Sequence, residues 1–510
     1  MHEEVGKAKR GIPAKEEDFN SWYPFIVEAA DLVDKRYPIK GMDVWRPYGW
    51  KAMRLIDAIT HREMELTDHE EVRFPLLIPA NLLQQENRLV TLLKRAREEG
   101  VDPSELRLDE DEAGFEKEVY WVKNAGENEL EVPMFLRPTS ETAMYTMFPL
   151  WIRSHADLPL KIYQIVNTFR YETKQTRSFI RVREIHFFEA HTAHVDEAAA
   201  NQQIAEDLEI VNRIMHDLCL PVIMAKRPIW DTFPGAWYTI GIDVVMPNGR
   251  TLQVASCHHY RDQWAREFGI TYEGEQAEQK YCHQTTYGMS ERLLGAVVGV
   301  HGDDHGLIMP PAIAPIQVVI VPVTKKDCAD EIMAASEELR ATLSGAGIRV
   351  KIDGRNIRPA KKYYDWEIKG VPLRLELGPR DLANGSAFAA RRGGGKKALN
   401  LVDIVELVNL ELAEISDWMR TRAATQHDDI IKTLPELSQG ENGSWSINAE
   451  IDGASIYEIP FDGSDADAET IESLTGLSFL GDATEEYPEE RSCCISGKKT
   501  KRRVLLSKSY

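Results

Sequence analysis

The segment Ile162–His194 constrains the fold most, because it has the pattern of two strands joined by a polar loop. Side chains two residues apart in a strand point to the same face. On the first strand this rule puts Arg170 and Glu172 on one face. Across the loop Thr173–Ser178, the same count groups four residues of the returning strand: Arg181, Arg183, Glu189 and His191. We therefore predict an antiparallel hairpin with one charged face.

The charges on this face suit a substrate that carries phosphate. A guanidinium group presents a rigid fork of donors that matches phosphate and carboxylate oxygens. Several arginines beside carboxylates therefore favour a site for a triphosphate and a small zwitterion. The alternative is a hairpin that carries only exposed ion pairs, which contribute little to stability.

Length and composition narrow the class of protein. A chain of 510 residues predicts about three domains. Its formal net charge of −21 argues against a general polyanion-binding surface, although a local basic patch can still hold RNA. Six cysteines are too few for a disulfide scaffold. Because we find no apolar leader and no apolar run of the ~20 residues that a membrane span needs, we expect a cytoplasmic protein without membrane contact.

Changes in periodicity predict three units. Up to residue 309 we expect an α+β domain, an antiparallel sheet with flanking helices such as Trp50–Glu65 and Pro79–Glu99. Over residues 310–422 strands and helices alternate, which predicts an α/β domain with a mostly parallel sheet. The proline-rich segment Pro310–Pro315 is the expected hinge. Residues 423–510 are expected to form a small α+β carboxy-terminal domain.

Several motifs, taken in order, resemble one family of enzymes. FRYE with RVRE looks like motif 2 of class II aminoacyl-tRNA synthetases, and GMSERLLGAVVGVHGDDHGLIMPP looks like motif 3. VRFPLLIP resembles motif 1, in which Pro75 would lie at a dimer interface. Within that class, RPTSET, FPGAWYT, IAPIQVVIVP and KGVPLRLELGPRD resemble prolyl-tRNA synthetases. A fixed order of several motifs makes chance agreement implausible. The short stretch between motifs 2 and 3 resembles the archaeal and eukaryotic-like form, which lacks the large editing insertion.

The resemblance implies a two-step reaction carried out by a homodimer. ATP activates L-proline to prolyl-adenylate, and proline is then transferred to the 3′ end of tRNA(Pro). The implied catalytic residues are Arg170 at the α-phosphate, Arg292 at the γ-phosphate, and Glu172. Mg²⁺ would accompany ATP. Catalysis of this kind rests on positioning and charge neutralisation, so we expect no nucleophilic serine or cysteine.

The resemblance also implies three groups of binding residues. The ATP group is Arg170, Glu172, Arg181, Gln253, Ser256, Thr286 and Arg292, with Gln284 at a magnesium-associated position. The proline group is Thr139, Glu141, Arg170 and His258, with Glu189, His191, Phe187 and Phe233 as pocket walls. The anticodon group is Glu367, Arg374, Arg380 and Asp381. The chemistry is sound, because carboxylates accept from guanine N–H groups, arginine donates to O6 and N7, and anticodon bases are single-stranded.

Other interpretations remain open at this stage. On the pattern alone, Glu367 and Arg374 could equally form a surface ion pair, and His191 could be a hydrogen-bonded strand histidine. The chain could be a synthetase for another amino acid, with threonine the nearest candidate, but the TSE loop and the anticodon motif argue against it. It could also be a noncatalytic synthetase-like protein that binds tRNA or senses amino acids. The presence of Arg170, Glu172 and Arg292 argues against that class.

The chain departs from the family pattern in three places. Ile185 stands where motif 2 usually has Phe, so adenine would stack on a neighbouring aromatic such as Phe188, or more weakly. The run ASCHHYRDQW replaces a G-T-S-H-like run, which weakens the assignment of Ser256. The zinc-ligand positions of the carboxy-terminal domain read Asp462, Asp467, Cys494 and Ser496. Structural zinc normally needs four sulfur or nitrogen ligands, so we expect a zinc-free domain.

A second set of residues could hold zinc near the active site. The set consists of Cys257, His258, His259, Cys282 and His283. Adjacent residues of one strand point to opposite faces, so three consecutive ligands cannot converge. We therefore predict no metal at this position.

Overall fold

The computed structural model describes residues 11–99, 119–172, 175–324, 327–441, 443–447 and 449–510. Residues 173–174 of the predicted hairpin loop and residues 1–10, on which the expectation of no leader partly rests, lie outside this set. No helix in the described ranges is both long and apolar enough to cross a membrane.

Helices and strands alternate along the whole described chain. The α-helices are α1 (Phe19–Ala29), α2 (Pro47–Glu65), α3 (Ala80–Glu99), α4 (Glu141–Tyr145), α5 (Phe148–Trp151), α6 (Glu197–Asp217), α7 (Gln263–Phe268), α8 (Arg292–His301), α9 (Ala329–Gly345), α10 (Pro359–Ile368), α11 (Pro379–Ala383), α12 (Ile404–Ile430) and α13 (Asp465–Thr475). The strands are β1 (Val33–Asp34), β2 (Val44–Trp45), β3 (Glu70–Glu71), β4 (Leu77–Pro79), β5 (Tyr120–Ala125), β6 (Asn128–Leu136), β7 (Leu160–Phe169), β8 (Glu184–His194), β9 (Ile223–Lys226), β10 (Tyr238–Val245), β11 (Thr251–Arg261), β12 (Thr271–Glu273), β13 (Gln279–Tyr281), β14 (His283–Ser290), β15 (Val318–Pro322), β16 (Val350–Ile352), β17 (Leu373–Leu377), β18 (Ser386–Arg391), β19 (Lys396–Asn400), β20 (Ile431–Thr433), β21 (Leu437–Gln439), β22 (Trp445–Ile447), β23 (Ile456–Pro460), β24 (Ser478–Ala483), β25 (Arg491–Ser492), β26 (Lys499–Thr500) and β27 (Arg503–Ser507).

A large sheet organises the first unit, as the α+β prediction requires. Its strand order is β20-β23-β27-β24-β9-β10-β11-β14-β8-β7-β3, and its pairings are antiparallel except β3–β7 and β20–β23. The register sets Thr239 opposite His258, His258 opposite Thr286, and Thr286 opposite His191. Side chains directly opposite each other on neighbouring strands lie about 5 Å apart. The register therefore gathers polar residues from four strands into one row across the sheet.

The helix α6 covers the opposite face of these strands. Asp196 caps its start by accepting a hydrogen bond from the Ala199 backbone at 2.8 Å. Apolar residues recur along α6 at three- and four-residue spacing, and those on its buried face, among them Ile210 and Ile214, are fully buried. Because this face is filled by the core, the open face is left for polar side chains.

The hairpin exists, but its connection is longer than the sequence predicts. β7 ends at Phe169 and β8 begins at Glu184, so Arg170, Glu172, Arg181 and Arg183 lie in the connecting segment and not on strands. Alternation correctly groups Glu189 with His191 but does not apply to the arginines. The physical reason is a competing contact, because the Arg183 amide donates to the carbonyl of Gly41 at 2.8 Å and not to a ladder partner.

The second unit has a five-stranded sheet of order β16-β15-β17-β18-β19. β15 pairs parallel with β16 and β17, whereas β17–β18 and β18–β19 are antiparallel, so the prediction of a mostly parallel sheet is wrong. The short connection between β17 and β18 allows a direct reversal of the chain. Arg349 fixes the predicted hinge by donating to the carbonyls of Pro311, Ala312 and Ala314 at 2.6–3.0 Å.

The carboxy-terminal unit does not form an independent sheet. α12 continues past residue 422 to Ile430 and leads directly into β20. β24 then pairs with β9, with Asp482 opposite Lys226 and Ala483 opposite Ala225, so the last strands extend the large sheet. The sequence patterns predict strands but do not show which edge of a sheet a strand joins. The pairing of β24 with β9 was therefore not predicted.

Gly481 tests this junction. A Cβ atom there would lie 2.1 Å from the Lys226 carbonyl oxygen, whereas a Cβ at Gly476 would meet nothing within 4 Å; both residues have positive φ. We expect Gly481→Ala to lower the free energy of unfolding by more than about 2 kcal/mol. Gly476→Ala should lower the free energy of unfolding by only ~1–2 kcal/mol, the cost of placing alanine in the left-handed backbone conformation. Urea unfolding of both variants measures this, and equal losses would contradict the junction.

Candidate active site

An open cavity of about 1190 Å³ lies over the polar row of the large sheet. It is lined by every residue predicted to contact ATP or proline except Gln284: Thr139, Glu141, Arg170, Glu172, Arg181, Phe187, Glu189, His191, Phe233, Gln253, Ser256, His258, Thr286 and Arg292. Gln284 is fully buried on β14, and its side-chain amide has no hydrogen-bond partner among the described residues. The structure therefore brings the predicted residues together but leaves Gln284 outside the cavity.

One end of the cavity is built around the buried carboxylate of Glu189. It accepts from the Ser140 amide at 3.1 Å and from Gln164 at 2.9 Å, and it also accepts from the Ser140 hydroxyl. Burial raises the pKa of Glu189, but donation from His191, Ser140 and Gln164 outweighs it, so the pKa lies below its ordinary value. Glu189 is thus a charged anchor that fixes the Thr139–Glu141 loop.

Glu141 supplies the carboxylate that this loop presents to the cavity. One oxygen accepts from the Tyr260 hydroxyl at 3.0 Å, and the other accepts from the Thr139 hydroxyl. Tyr260 also lies 3.1 Å from the Thr286 hydroxyl. A carboxylate beside a hydroxyl at the rim of a cavity suits an ammonium group with two N–H donors.

Two carboxylates and one imidazole lie close enough together to hold a metal ion. Single ligand atoms of Glu141, Glu189 and His191 lie within 4.8 Å of one another. However, the two carboxylates already accept from Ser140, Gln164, Thr139 and Tyr260, as described above. His191 Nε2 lies 3.3 Å from Glu189, and Nδ1 lies 3.3 Å from the Tyr145 hydroxyl. The group is therefore occupied by protein hydrogen bonds.

His258 is held neutral on the floor of the cavity. Burial lowers its pKa to about 3, with the nearby His191 and Arg170 acting in the same direction. Its Nδ1 lies 2.9 Å from the Thr239 hydroxyl, and its Nε2 lies 3.0 Å from the Ser256 hydroxyl. The Phe233 ring packs on it with centroids 4.5 Å apart. The imidazole can therefore act as a hydrogen-bonding group but not as a cation near neutral pH.

Three arginines crowd the other end. Arg170 donates through Nε to the Pro138 carbonyl at 3.1 Å and lies over the Phe187 ring at 5.8 Å. Arg292 donates to the carbonyls of Ile180 and Gln253 at 2.9 and 3.0 Å. Burial and then repulsion from Arg170 and Arg181 lower the pKa of Arg292.

The counter-charge at this end is small. Arg181 donates to Glu172 at 3.1 Å, and Arg170 and Arg292 form no ion pair with the described residues. Arginines anchored by carbonyls and short of anions make a preorganised anion site.

Two buried charged residues of the cavity were not named by the sequence analysis. Arg227 is 6% exposed and donates to Asp243 at 2.6 Å and to the Leu480 carbonyl at 2.7 Å. It fits because Gly241 has no side chain; a Cβ there would lie 2.3 Å from the guanidinium. Glu291 is 3% exposed, and its Oε2 has no partner among the described residues. Arg227 has no sequence signal, and Glu291 has only its position inside motif 3.

The expected adenine-stacking role of Phe188 is wrong. Phe188 is 4% exposed and packs in the core against Tyr163 and Tyr287. It points to the opposite face of β8 from Ile185 and Phe187, which both line the cavity. Phe187, which contacts Arg170, is therefore the neighbouring aromatic on the correct face.

The residues of the rival zinc set lie apart in the structure. Cys257 lies in the core beneath the sheet, Cys282 lies in a different apolar cluster, and His258 lines the cavity. Alternation along β11 separates the consecutive residues. Within the described chain, the set of ligand atoms that comes within metal-binding distance is the Glu141, Glu189 and His191 group.

The residues at the family zinc position do not fit zinc. The sulfur of Cys493 accepts hydrogen bonds from the backbone amides of Asp462 at 3.2 Å and Ser496 at 3.5 Å. The predicted position, Cys494, does not have these contacts. Burial raises the pKa of Cys493, but these donors lower it below its ordinary value. Burial raises the pKa of Cys494 to about 12. Asp467 instead caps α13 by accepting from the Ser464 amide at 2.8 Å. One cysteine sulfur that accepts hydrogen bonds remains where four ligands are needed.

Some of the predicted anticodon residues gather around the end of β17. Arg374 donates to Glu376 at 3.0 Å, so its ion pair is formed with Glu376 and not with Glu367. Its guanidinium also lies 3.9 Å from the centroid of the Tyr363 ring. Asp381 accepts from the Gly378 amide at 2.9 Å at the start of α11, and Arg380 is exposed beside it. Glu367 lies four residues after Tyr363, on the same face of α10.

The predicted dimer residue Pro75 is exposed in an apolar segment. Its neighbours Leu76 and Leu77 are 40% and 39% exposed. Arg137, itself buried, donates to the carbonyls of Phe74 at 2.9 Å and Pro75 at 3.3 Å. The exposed segment is thus joined directly to the loop that carries Thr139 and Glu141.

Comparison with known proteins now defines the class. The model of the tRNA synthetase class II core domain (G, H, P, S and T) matches residues 120–301, and that of an anticodon binding domain matches residues 317–420. Together with the arginine-lined anion site, these matches define a class II aminoacyl-tRNA synthetase.

Full-length relatives specify the family. The chain is 48% identical to a proline–tRNA ligase of Thermococcus kodakarensis, covering 95% of this chain and 94% of that one, and 45% identical to one of Pyrococcus abyssi, covering 97% and 98%. It resembles the solved structure of Giardia lamblia prolyl-tRNA synthetase in complex with prolyl-adenylate, with TM-score 0.87, 32% identity and coverage of 98% and 99%. The chain belongs to the prolyl-tRNA synthetase family. The predicted fold class and family are thereby confirmed.

Glu291 gives a pH test of the site. Burial raises its pKa from 4.5 to about 8. A carboxyl whose pKa is raised on folding stabilises the fold fully below its unfolded pKa, and the contribution is lost as pH rises toward 8. We therefore expect wild type to lose stability relative to Glu291→Gln between about pH 5 and pH 8. Thermal unfolding of both from pH 5 to 9, with exposed Glu127→Gln as control, measures this; parallel curves would contradict it.

Proposed function

We propose that this cavity catalyses proline activation and transfer with the residue roles given below. The observation that carries the proposal is the juxtaposition of an anion site, formed by Arg170, Arg181 and Arg292, with an ammonium site at Thr139 and Glu141. Both lie in one cavity. ATP and a zwitterionic amino acid need those two chemistries side by side. The noncatalytic alternative is not favoured, because both sites are complete.

In the first step the proline carboxylate attacks the α-phosphorus of ATP. An O–P bond forms as the bond to the β-phosphate oxygen breaks, giving prolyl-adenylate and pyrophosphate. Arg170 neutralises charge at the α-phosphate, and Arg292 holds the γ-phosphate. Arg181 and Glu172 fix the nucleotide beside them. Each group acts by position and charge, so no protein nucleophile is needed.

Magnesium would fit this arrangement through the nucleotide. Mg²⁺ keeps several waters and binds mainly phosphate oxygens with one or two carboxylates. When bound it supplies charge neutralisation between the phosphates. Glu172 is the carboxylate of the cavity that follows Arg170 in the sequence, and it would hold the ion together with the phosphate oxygens. Gln284, which lies outside the cavity, is left out of this proposal.

In the second step the terminal ribose hydroxyl of tRNA attacks the prolyl carbonyl. The ester bond forms, AMP leaves, and the hydroxyl proton passes to the phosphate or to water. His258, Thr286, Gln253 and Ser256 hold the adenylate in place by hydrogen bonds. We propose that Glu189 and His191 act through the loop they support and that Phe233 forms the apolar wall against the proline ring.

We further propose that residues 310–422 read the anticodon of tRNA(Pro) through Arg374, Arg380, Asp381 and Glu367. The stacked Arg374–Tyr363 pair and the Glu376 carboxylate support a single-stranded base site at this point. Charging of tRNA transcripts with altered anticodon guanines tests it. Arg380→Ala should abolish the preference for guanine, and an unchanged preference would overturn the assignment.

Four properties of the whole enzyme complete the proposal. We propose a homodimer formed through the exposed segment at Pro75, since Leu76 and Leu77 need an apolar cover; sedimentation of Leu77→Glu tests it. We propose that the carboxy-terminal unit folds without zinc, so chelators should leave its unfolding temperature unchanged. We also propose a cytoplasmic location and no editing domain, because α6 and β9–β14 account for the chain between the motifs. Fractionation and mischarged-tRNA hydrolysis test these two.

Glu141→Gln tests the amino-acid site. Loss of the charge that faces the ammonium group should raise the KM for proline by about tenfold to hundredfold in ATP–pyrophosphate exchange, the range for a hydrogen bond to a charged group. The KM for ATP should change little. Exposed Glu127→Gln is the control. An unchanged KM for proline would remove Glu141 from the site.

A further inference from the structure

Arg227 lies where the active-site cavity meets the carboxy-terminal unit. It directly follows β9, and its side chain lines the cavity although the residue is only 6% exposed. A buried cation is costly unless the fold satisfies its donors. The guanidinium of Arg227 has hydrogen-bond partners on three different strands, β24, β10 and β11. The proposed steps of the reaction do not use this residue, so its contacts must identify what it does.

One donor of the guanidinium reaches the carboxy-terminal unit. Nη1 donates to the Leu480 carbonyl at 2.7 Å. The register of β24 against β27 shifts between Phe479 and Gly481, so Leu480 is the extra residue of a β-bulge. The extra residue of a bulge is left out of the ladder, and its backbone groups can turn toward another partner. The bulge therefore presents a carbonyl of the carboxy-terminal unit to Arg227.

The other donors reach the nucleotide end of the cavity. Nη2 donates to Asp243 at 2.6 Å and to Oε1 of Gln253 at 3.4 Å. Because a guanidinium has no acceptor, Gln253 must turn its amide oxygen toward Arg227. The NH2 group of Gln253 is then left to donate to a ligand. This orientation suits ATP, whose phosphate oxygens and ring nitrogens are acceptors.

The backbone of Gln253 extends this chain of contacts to the anion site. Its carbonyl accepts from Nη1 of Arg292 at 3.0 Å. Hydrogen bonds therefore run without a break from Leu480 through Arg227 and Gln253 to Arg292. A side chain that is already held in its binding orientation loses less conformational entropy when a ligand arrives. The contacts of Arg227 thus favour nucleotide binding without a direct contact to the nucleotide.

Gly241 provides the space in which the guanidinium lies. A Cβ atom at Gly241 would lie 2.3–2.4 Å from Nη2, Cζ and Nε of Arg227. The φ angle of Gly241 is not in the left-handed region, so its backbone would accept alanine. An added methyl group would therefore displace the movable end of Arg227 and leave the strand in place.

We propose that Arg227 is a positioning residue for ATP, which holds the NH2 group of Gln253 toward the nucleotide and ties it to the carboxy-terminal unit through Leu480. The inference rests on the proposed function, because it needs Gln253 at the nucleotide. Arg227 acts through Gln253 and does not itself contact ATP. A direct contact with ATP and a purely structural role are the two alternatives that the experiments below separate.

The first variant is Arg227→Lys in the full-length protein. Lysine keeps a positive charge beside the buried Asp243, but it lacks the planar fork that reaches Leu480 and Gln253 together. Exposed Arg36→Lys, which changes only a surface pair with Asp34, is the matched control.

The second variant is Gly241→Ala, which keeps Arg227 and Asp243 and displaces the guanidinium. It protects the test against a folding defect of Arg227→Lys. Gly345→Ala is the matched control, because a Cβ atom at the end of α9 would meet nothing within 4 Å.

Proline-dependent ATP–pyrophosphate exchange is measured while ATP and proline are varied in turn. Both variants should raise the KM for ATP about threefold to tenfold, the range for one lost hydrogen bond. The KM for proline and kcat should equal those of wild type, because the ammonium site lies at the other end of the cavity. A purely structural role would lower the active fraction, and hence kcat, and would leave the KM for ATP unchanged.

Gln253→Ala separates action through Gln253 from direct contact with ATP. When Arg227→Lys is added to Gln253→Ala, the KM for ATP should rise by less than about twofold further, because residues that act through one interaction are not additive. A further rise as large as that of Arg227→Lys alone would show that Arg227 acts independently, which would overturn the proposal.

Hydrogen exchange tests the tie to the carboxy-terminal unit. Coupling between two sites is reciprocal, so ATP should slow amide exchange in β24, residues 478–483, in wild type but not in Arg227→Lys. Amide exchange in β18 of the second unit, residues 386–391, should not respond to ATP in either protein. Equal slowing of β24 in both proteins, or none in wild type, would contradict the tie.

An unchanged KM for ATP in both Arg227→Lys and Gly241→Ala would overturn the positioning role. Failure of exchange in wild type itself would instead reject the proposed function. The two failures are therefore distinguishable.

Discussion

The site depends on the mutual repulsion of three arginines held within one cavity. Arg170 and Arg292 are anchored by backbone carbonyls, and Arg181 by Glu172, so the guanidinium groups stay in place without a matching number of anions. Burial first, and then repulsion from Arg170 and Arg181, lowers the pKa of Arg292. A triphosphate relieves this repulsion, and the pentavalent phosphorus that forms during attack relieves it further. The surrounding fold serves to hold these three groups together.

The amino-acid end uses the opposite device, in which charge is satisfied before the substrate arrives. Glu189 takes hydrogen bonds from Ser140, Gln164 and His191 and so stays ionised although it is buried. This network fixes the loop on which Thr139 and Glu141 stand. Arg137 ties the same loop to the exposed segment at Pro75, so the amino-acid site and the apolar surface are parts of one rigid assembly.

Sequence patterns predict which residues form the site better than they predict how the fold positions them. Alternation correctly groups Glu189 with His191, and motif order names about half of the residues that line the cavity, most of its polar residues among them. Alternation fails for Arg181 and Arg183, because a contact with Gly41 replaces strand pairing. The same alternation puts Phe188 on the face opposite Glu189 and His191, so its stacking role could have been rejected from the sequence. No sequence pattern reveals that β24 joins β9, since the edge of a sheet carries no local signature. Arg227 and Glu291 were missed because burial gives their chemistry, and burial is set by tertiary contacts.

The most direct test of the account is amino-acid-dependent ATP–pyrophosphate exchange with wild type, Arg170→Ala and exposed Arg36→Ala. Proline, alanine, cysteine and threonine are compared as substrates. The account predicts exchange driven best by proline, lost in Arg170→Ala and retained in Arg36→Ala, with all three proteins folded. Exchange that persists without Arg170, or a folded wild type that shows no exchange with any of the four, would contradict it.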